Sequence, residues 1–396
     1  MTGHERADVV IVGGAIVGSA VATFLAMRPD WRGRVVVVER DPTYRTSSTT
    51  LSAASIRLQF STPVNIEISR FGISLIKDLD RWLGVSGQPA PEIDFVDSGY
   101  LFLATDAGLP ALEANHAVQR AHDVPAVLLS PKELQVRFPW MNTEGIAAGS
   151  LGLRDEGWFD AYALLQAFRR KARSLGVAYE TAEVVGVLRD GDRVRGVRLD
   201  DGRELAAEWV VNAAGPRAAE LAGMAGLELP VRPRKRFVYH FDCRGLRGPA
   251  PLTINPSGVY FRPEGQAWIG GYSPRSGEPD PDTLDLEVDR SRFEEVVWPE
   301  LAARVPAFES LRLLDAWAGH YAVNTLDHNA IIGPHPEVGG FLFANGYSGH
   351  GLQQAPAVGR GLAEWIAAGR YETIDLGPLG YRRVVDQRPL REVNVV

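Results

Sequence analysis

The stretch from Asp8 to Glu39 constrains this chain most. Val9 to Val12 is a short β-branched apolar run. It is followed by Gly13-Gly14-Ala15-Ile16-Val17-Gly18, an apolar helical stretch to Met27, and a second β-branched run from Val35 to Val38 that ends at Glu39. Strand, glycine turn, helix, strand and carboxylate in this order open a dinucleotide-binding domain. The first glycine permits the tight turn and the last lets helix and strand pack closely. The N–H groups at the helix start, around Ala15, Ile16 and Val17, face a pyrophosphate. Glu39, with Arg40 beside it, lies about 20 residues beyond Gly18, where an acid accepts hydrogen bonds from an adenosine ribose. One position departs from the fingerprint: Ala15 stands where the middle glycine belongs, and its methyl group points towards the approaching phosphate. The run from Val9 to Met27 lacks charge, but it contains three glycines and follows Asp8 rather than a basic segment, so neither a signal peptide nor a membrane span is expected.

A chain of 396 residues with 45% hydrophobic content can bury a large core, and about two domains are expected. The net charge of -7 argues against nucleic acid as a partner. Cys243 is the only cysteine, which excludes an intramolecular disulfide, a CxxC pair and a cysteine-rich zinc site. His320, His328 and His335 lie close in sequence, but no HxxxH or HExxH pattern joins them, so no metal site is expected. Without a signal sequence, membrane span or disulfide framework, the expected location is cytoplasmic.

Past Glu39, the Ser/Thr-rich segment Asp41 to Ser55 offers Ser48, Thr49 and Ser52 as hydroxyl donors to the pyrophosphate, while Ala53 and Ala54 let a flat ring system lie close to the backbone. Asn65 to Trp82 has the spacing of one amphipathic helix. From Gln88 to Asn142 prolines become frequent, around a strand at Gly99 to Leu103 and a helix at Leu109 to His122, which reads as an excursion into a second domain. A helix from Ala161 to Leu175 precedes a strand pair, Val184 to Val187 and Val194 to Leu199, about the Asp190-Gly191 turn. The strand at Trp209 ends in Ala213-Ala214-Gly215-Pro216, small enough for the chain to pass close to a cofactor. Leu227 to Trp298 is strand-rich and continues the second domain, Glu294 to Arg304 reads as a helix, and Leu311 to Asn324 returns the chain to the first domain.

The last signal is a strand, Phe341 to Ala344, a loop, Asn345-Gly346-Tyr347-Ser348-Gly349-His350-Gly351, and a helix from Leu352 to Ala368. This second glycine loop feeds a helix N-terminus, which favours negative charge such as that on the pyrimidine edge of a reduced flavin. The same loop mimics the hydrolase elbow G-x-S-x-G but fails it at His350.

The set VVIVGGAIVG with VVVVER, WVVNAAGP, and LDHNAIIGP with FANGYSGHG resembles the D-amino acid oxidase superfamily of FAD enzymes, from Asp8 to about Leu376. The nearest branch holds glycine oxidase, sarcosine oxidase and the mitochondrial FAD-dependent oxidoreductase-domain proteins associated with complex I assembly. STTLSAASIRLQFSTP is most similar to that last group. The resemblance implies an α/β, Rossmann-like FAD domain (glutathione reductase-like) and an α+β, mainly antiparallel substrate domain. The FAD domain would comprise residues 1–87, 145–225 and 323–376, the substrate domain 88–144 and 226–322, with a tail at 377–396. The chemistry implied is oxidation of the C–N bond of a small, N-substituted amino acid by hydride transfer to flavin N5, giving an imine that hydrolyses.

By the same resemblance, Arg57 holds the substrate carboxylate, Tyr321 is the aromatic over the flavin, Tyr260 is a substrate-domain tyrosine, and Gln353 replaces a carboxylate-binding lysine. Val184, Gly319, Gly346, Ser348, Gly349, Gly351, Leu352 and Gln353 complete the implied FAD site. Gly319 stands where sarcosine oxidases attach FAD through cysteine, so a non-covalent flavin is implied. Trp268 aligns with the lysine that promotes oxygen reduction, which implies slow reaction with oxygen. The electron acceptor, whether oxygen, a quinone or a carrier protein, stays open. His320 is expected to line the pocket, and His350 to offer mainly backbone to the flavin. Competing readings are a D-amino acid dehydrogenase on the same fold, a flavoprotein assembly or scaffold factor, and an NAD-dependent dehydrogenase. The last leaves the loop at residues 345–351 unexplained.

Overall fold

The computed structural model describes residues 5–246, 248–274 and 277–393. The fingerprint forms β1 (Val9–Val12), α1 (Ile16–Met27) and β2 (Val35–Glu39). Along β1, Val9 and Ile11 join one core cluster and Val10 and Val12 join another, so both faces of the strand are covered. Each such valine, when fully buried, stabilises the fold by roughly 1.5–3 kcal/mol. Helix α1 is apolar on nearly all sides and correspondingly buried against the sheet and two further helices.

The segment expected as one helix from Asn65 to Trp82 is two, α2 (Pro63–Lys77) and a short turn Leu79–Leu83, separated where Asp78 leaves the helical conformation (φ −135°, ψ 50°). Apolar periodicity carries across that break, which hides it from the sequence. Then follow β3 (Tyr100–Ala104), α3 (Ala161–Ser174) and β4 (Trp209–Asn212). The second half contributes β5 (Val231–Asp242), β6 (Val259–Glu264), β7 (Ala267–Tyr272) and β8 (Arg312–Asn324). It closes with β9 (Phe341–Asn345) and α4 (Gly351–Ala368).

Among the described residues these strands form two large sheets. The first has the order Ala178–Thr181, β2, β1, β4, β9, Ile331–Pro334, parallel except for its last member. The second has the order β8, β5, β7, β6, Leu252–Ile254, β3, Ala148–Gly152, Ala126–Leu129, and is antiparallel apart from the pairing of Leu252–Ile254 with β3.

Three expectations shift. Residues 148–152 lie in the antiparallel sheet, past the boundary placed at 145. Leu311 to Asn324 does not return the chain to the first domain: β8 pairs with β5 from Arg312 to Asn324, and the return follows it. The helix read from Glu294 to Arg304 opens as a π-helical turn, Phe293–Val297, before Trp298–Arg304. Residues 377–393 fold back on the parallel-sheet half, with Tyr381 and Val384 in its core.

Candidate active site and cofactor cleft

An elongated cleft runs between the two sheets, from Glu39 and Arg40 at one end to Tyr260, His320 and Tyr321 at the other. At the first end, the chain leaves β1 through Gly13 with φ +99°, where a Cβ would stand 2.3 Å from the Ala213 carbonyl oxygen. A Cβ on Gly18 would approach Gly13 O to 1.9 Å, so α1 lies directly on the turn. Gly14 N donates to Glu39 Oε2 at 2.7 Å and Asp41 N to Oε1 at 2.9 Å. Each carboxylate oxygen retains a lone pair for a ribose hydroxyl. Ala15, at the N-cap of α1, supplies no capping side chain, and Ala15, Ile16 and Val17 line the cleft. Arg40 is at the rim, 4.0 Å from Glu183. Val184, Ala214 and Gly215 form the opposite wall.

The Ser/Thr segment crosses the middle of the cleft. Thr49 Oγ1 accepts from Ile16 N at 3.4 Å, Ser52 Oγ donates to Thr49 O at 2.8 Å, and buried Ser48 Oγ has no partner. That orphaned hydroxyl, the start of α1, whose N-cap Ala15 has no capping side chain, and the glycine turn make a donor set that fits FAD. Ser48, Thr49 and the first turn of α1 would hold its pyrophosphate, and Glu39 its ribose. Ala53 also lines the cleft, while Ala54, at φ +53°, turns the chain away.

At the other end Gly319, Tyr260, Tyr321, Gly349, Gly351 and Leu352 line the wall. A Cβ on Gly349 would stand 2.5 Å from the Tyr321 ring, so the glycine lets that ring come close to the loop backbone. Ser348 Oγ accepts from Asn324 N at 3.0 Å and Gly346 abuts Asn324, which ties the loop to β8. Burial raises the phenol pKa of both Tyr260 and Tyr321, keeping them protonated donors. His320 Nε2 donates to Asp285 O at 3.0 Å, and burial lowers its pKa, leaving a neutral ring with Nδ1 as acceptor.

Arg57, His350 and Gln353 stand one layer behind. Arg57 is 3% exposed, with its guanidinium carbon 4.4 Å over the Phe60 ring and 5.5 Å from that of Phe102. Its Nη2 donates to His350 Nε2 at 3.1 Å. Burial and the nearby Arg57 charge hold the His350 pKa well below normal, so the ring is neutral and accepts. His350 thus offers its imidazole to Arg57 as well as its backbone to the loop. Gln353 Oε1 accepts from Arg57 N at 3.0 Å, which makes it a support for the Arg57 backbone. The Arg57 charge still reaches the Tyr321 phenol.

Two residues escaped the sequence reading. Glu156 is buried and accepts from Leu58 N (2.7 Å), Gln59 N (3.0 Å), Gln59 Nε2 (2.9 Å) and Tyr100 N (3.2 Å). Nothing in Asp155-Glu156-Gly157 marks it as buried. Arg236 lines the cleft, 5.3 Å over the Tyr321 ring, and pairs with Asp280 at 2.8 and 2.9 Å. The basic run Arg232 to Arg236 was its signal. Trp268 lies on the far face of β7, in a cluster with Phe261 and Phe308. Its neighbours on the face of Tyr260 are Ile269 and Gly271, neither of them charged.

The family model described as "FAD dependent oxidoreductase" (DAO) matches residues 8–365. The chain is 45% identical over 426 residues to FAD-dependent oxidoreductase domain-containing protein 1 of Xenopus laevis, covering 99% of this chain and 85% of that protein. It is 29% identical to glycine oxidase of Geobacillus kaustophilus, covering 96% and 97%. The crystal structure of L-proline dehydrogenase from P. horikoshii is similar with a TM-score of 0.85 and 28% identity, covering 97% of this chain and 99% of that one. No helix among the described residues is long and apolar enough to cross a membrane.

Proposed function

The chain belongs to the FAD dependent oxidoreductase (DAO) family, and on that premise we propose that it oxidises the C–N bond of a small, N-substituted amino acid. The observation that carries this reading is the juxtaposition of Tyr260 and Tyr321 on the cleft wall with the Arg57 guanidinium one layer behind. Glycine and L-proline, named for two similar proteins, are small amino acids, and the nitrogen of proline is secondary.

FAD held in this cleft would supply the hydride acceptor for the oxidation, and the imine product would hydrolyse in water. The protein holds and orients the substrate. Arg57, fixed by Phe60, His350 and Gln353, supplies one formal positive charge towards the carboxylate. The neutral phenols of Tyr260 and Tyr321 surround the amine with little water, which lowers its pKa and frees the lone pair that hydride loss requires. His320 Nδ1 is an acceptor at the rim, but desolvation suffices for the deprotonation. Gly319 offers no side chain at the position where the sequence comparison with sarcosine oxidases places the flavin-bonding cysteine, and on that ground FAD is read as held non-covalently. The cleft face of β7 carries no lysine, and Arg236 over Tyr321 is already paired with Asp280, so a quinone or a carrier protein is favoured over oxygen as acceptor.

The test is anaerobic addition of an amino acid panel to the purified flavoprotein while its yellow colour is followed. Bleaching by N-alkyl amino acids supports the proposal. Bleaching by D-amino acids alone replaces it with a D-amino acid dehydrogenase, and a flavin that none of them reduces favours the scaffold reading. Arg57→Ala should raise KM for the carboxylate substrate by about 100-fold, and an unchanged KM removes Arg57 from the site.

A further inference from the structure

The motif Leu326-Asp327-His328-Asn329 and the tail beyond residue 376 lie outside the cofactor cleft, and they meet each other. The buried carboxylate of Asp327 accepts from Arg383 Nε at 2.7 Å and from Leu390 N at 2.9 Å, and its backbone oxygen accepts from Glu392 N at 3.2 Å. Asn329 Nδ2 donates to Leu390 O at 2.7 Å, while its Oδ1 accepts from Asn65 Nδ2 at 2.7 Å. The motif is a socket for the tail.

What the tail delivers is Glu392, 3% exposed. Its Oε1 accepts from Ser61 N (2.8 Å) and Ser61 Oγ (2.6 Å). Its Oε2 accepts from Thr62 Oγ1 (2.7 Å), Thr62 N (3.2 Å) and Asn65 Nδ2 (3.0 Å). Helix α2 starts at Pro63, and its N-cap Thr62 makes no capping bond of its own. A carboxylate from 330 residues away therefore occupies the helix N-terminus, where the helix dipole favours it. Directly before Ser61 lies the Arg57–Phe60 segment. Glu156 grips its middle at Leu58 and Gln59, Gln353 holds Arg57 N, and the Phe60 ring lies beneath the guanidinium and 5.1 Å from that of His350.

We propose that Glu392 is a positioning residue for Arg57: by fixing Ser61 and Thr62 it sets the Phe60 ring, and through it the guanidinium. The inference rests on the reading of Arg57 as the carboxylate-binding group.

The test compares Glu392→Ala, Glu392→Gln and Arg57→Ala as FAD-loaded full chains, with methoxyacetate as an unreactive carboxylate. Its dissociation constant is read from the flavin absorption change, and amide hydrogen exchange is followed at residues 58–62. Glu392→Ala should weaken methoxyacetate binding about tenfold and raise KM in step, with kcat little changed, while exchange at 58–62 accelerates. Glu392→Gln keeps one accepting oxygen and should fall between parent and alanine variant. Parental affinity in Glu392→Ala alongside lost affinity in Arg57→Ala overturns the proposal alone, as does parental exchange at 58–62. Parental affinity in Arg57→Ala overturns the carboxylate reading, and the proposal falls with it. If Glu392→Ala does not fold, Glu392→Gln decides by the same two readouts: weaker binding with faster exchange supports the proposal, and parental values overturn it.

Discussion

A carboxyl group cut off from water lowers its energy by gathering N–H donors or by holding a proton. Glu156 does both: its donors come from Leu58, Gln59 and Tyr100, yet burial still pushes its pKa up to about 6 from 4.5. A pKa raised on folding contributes stability that is full below the unfolded value and is lost as pH rises through the folded one. From well below pH 4.5 to well above pH 6 this group alone therefore costs the fold about 2 kcal/mol. Denaturant titrations of parent and Glu156→Gln should diverge accordingly. The advantage of the parent over the variant shrinks by about that amount from about pH 3.5 to 7, and a pH-independent difference contradicts the assignment. Arg57 was singled out in the sequence through the resemblance to sarcosine oxidases, which place an arginine at the end of this loop. Glu156 was not, because nothing local distinguishes a buried glutamate from a solvated one.

At the scale of elements, two close packings of α1 limit what it can carry. Gly18 brings it onto the turn at Gly13, and Gly359 of α4 lets Ala20 approach so closely that a Cβ would lie 2.6 Å from the Ala20 carbonyl carbon. Overpacking of this kind costs about 1–3 kcal/mol. Gly359→Ala should lower the melting temperature while a full complement of FAD is retained. Gly18→Ala moves the helix start itself and should leave purified protein with less than stoichiometric flavin. The ratio of flavin to protein absorbance separates the two, and equal ratios contradict the assignment of Gly18 to the cofactor turn. The glycines at 13, 14 and 18 were readable because their spacing is local. Gly359 was not, since its reason is a helix more than 330 residues earlier.

For the molecule as a whole, the cleft is walled by both sheets, and the Ser/Thr segment is tied to the antiparallel one. Trp317 Nε1 donates to Leu51 O at 3.0 Å, and Arg262 donates to Ala53 O at 2.8 and 3.2 Å. A ligand bound between them stabilises the native state by mass action, about 2.7 kcal/mol at a hundred times its Kd. Stripping FAD should lower the melting temperature by several degrees, with recovery that grows with the logarithm of added FAD. A melting temperature indifferent to FAD contradicts its seat in this cleft.

The sequence by itself determined the parallel-sheet core, the glycine turn, the acid at Glu39 and the second glycine loop before α4. Each of these carries its signal within a short stretch of chain, a β-branched run or a glycine spacing, so residue type and spacing suffice to reveal it even where the strand partner lies far away. Only the tertiary structure decided that Gln353 and His350 support Arg57 from behind, that Trp268 faces away from the cleft, and that Arg236 lies over Tyr321. It alone put Glu392 at the start of α2. These placements depend on strand register and on pairs hundreds of residues apart, where a one-residue slip reverses the face a side chain occupies.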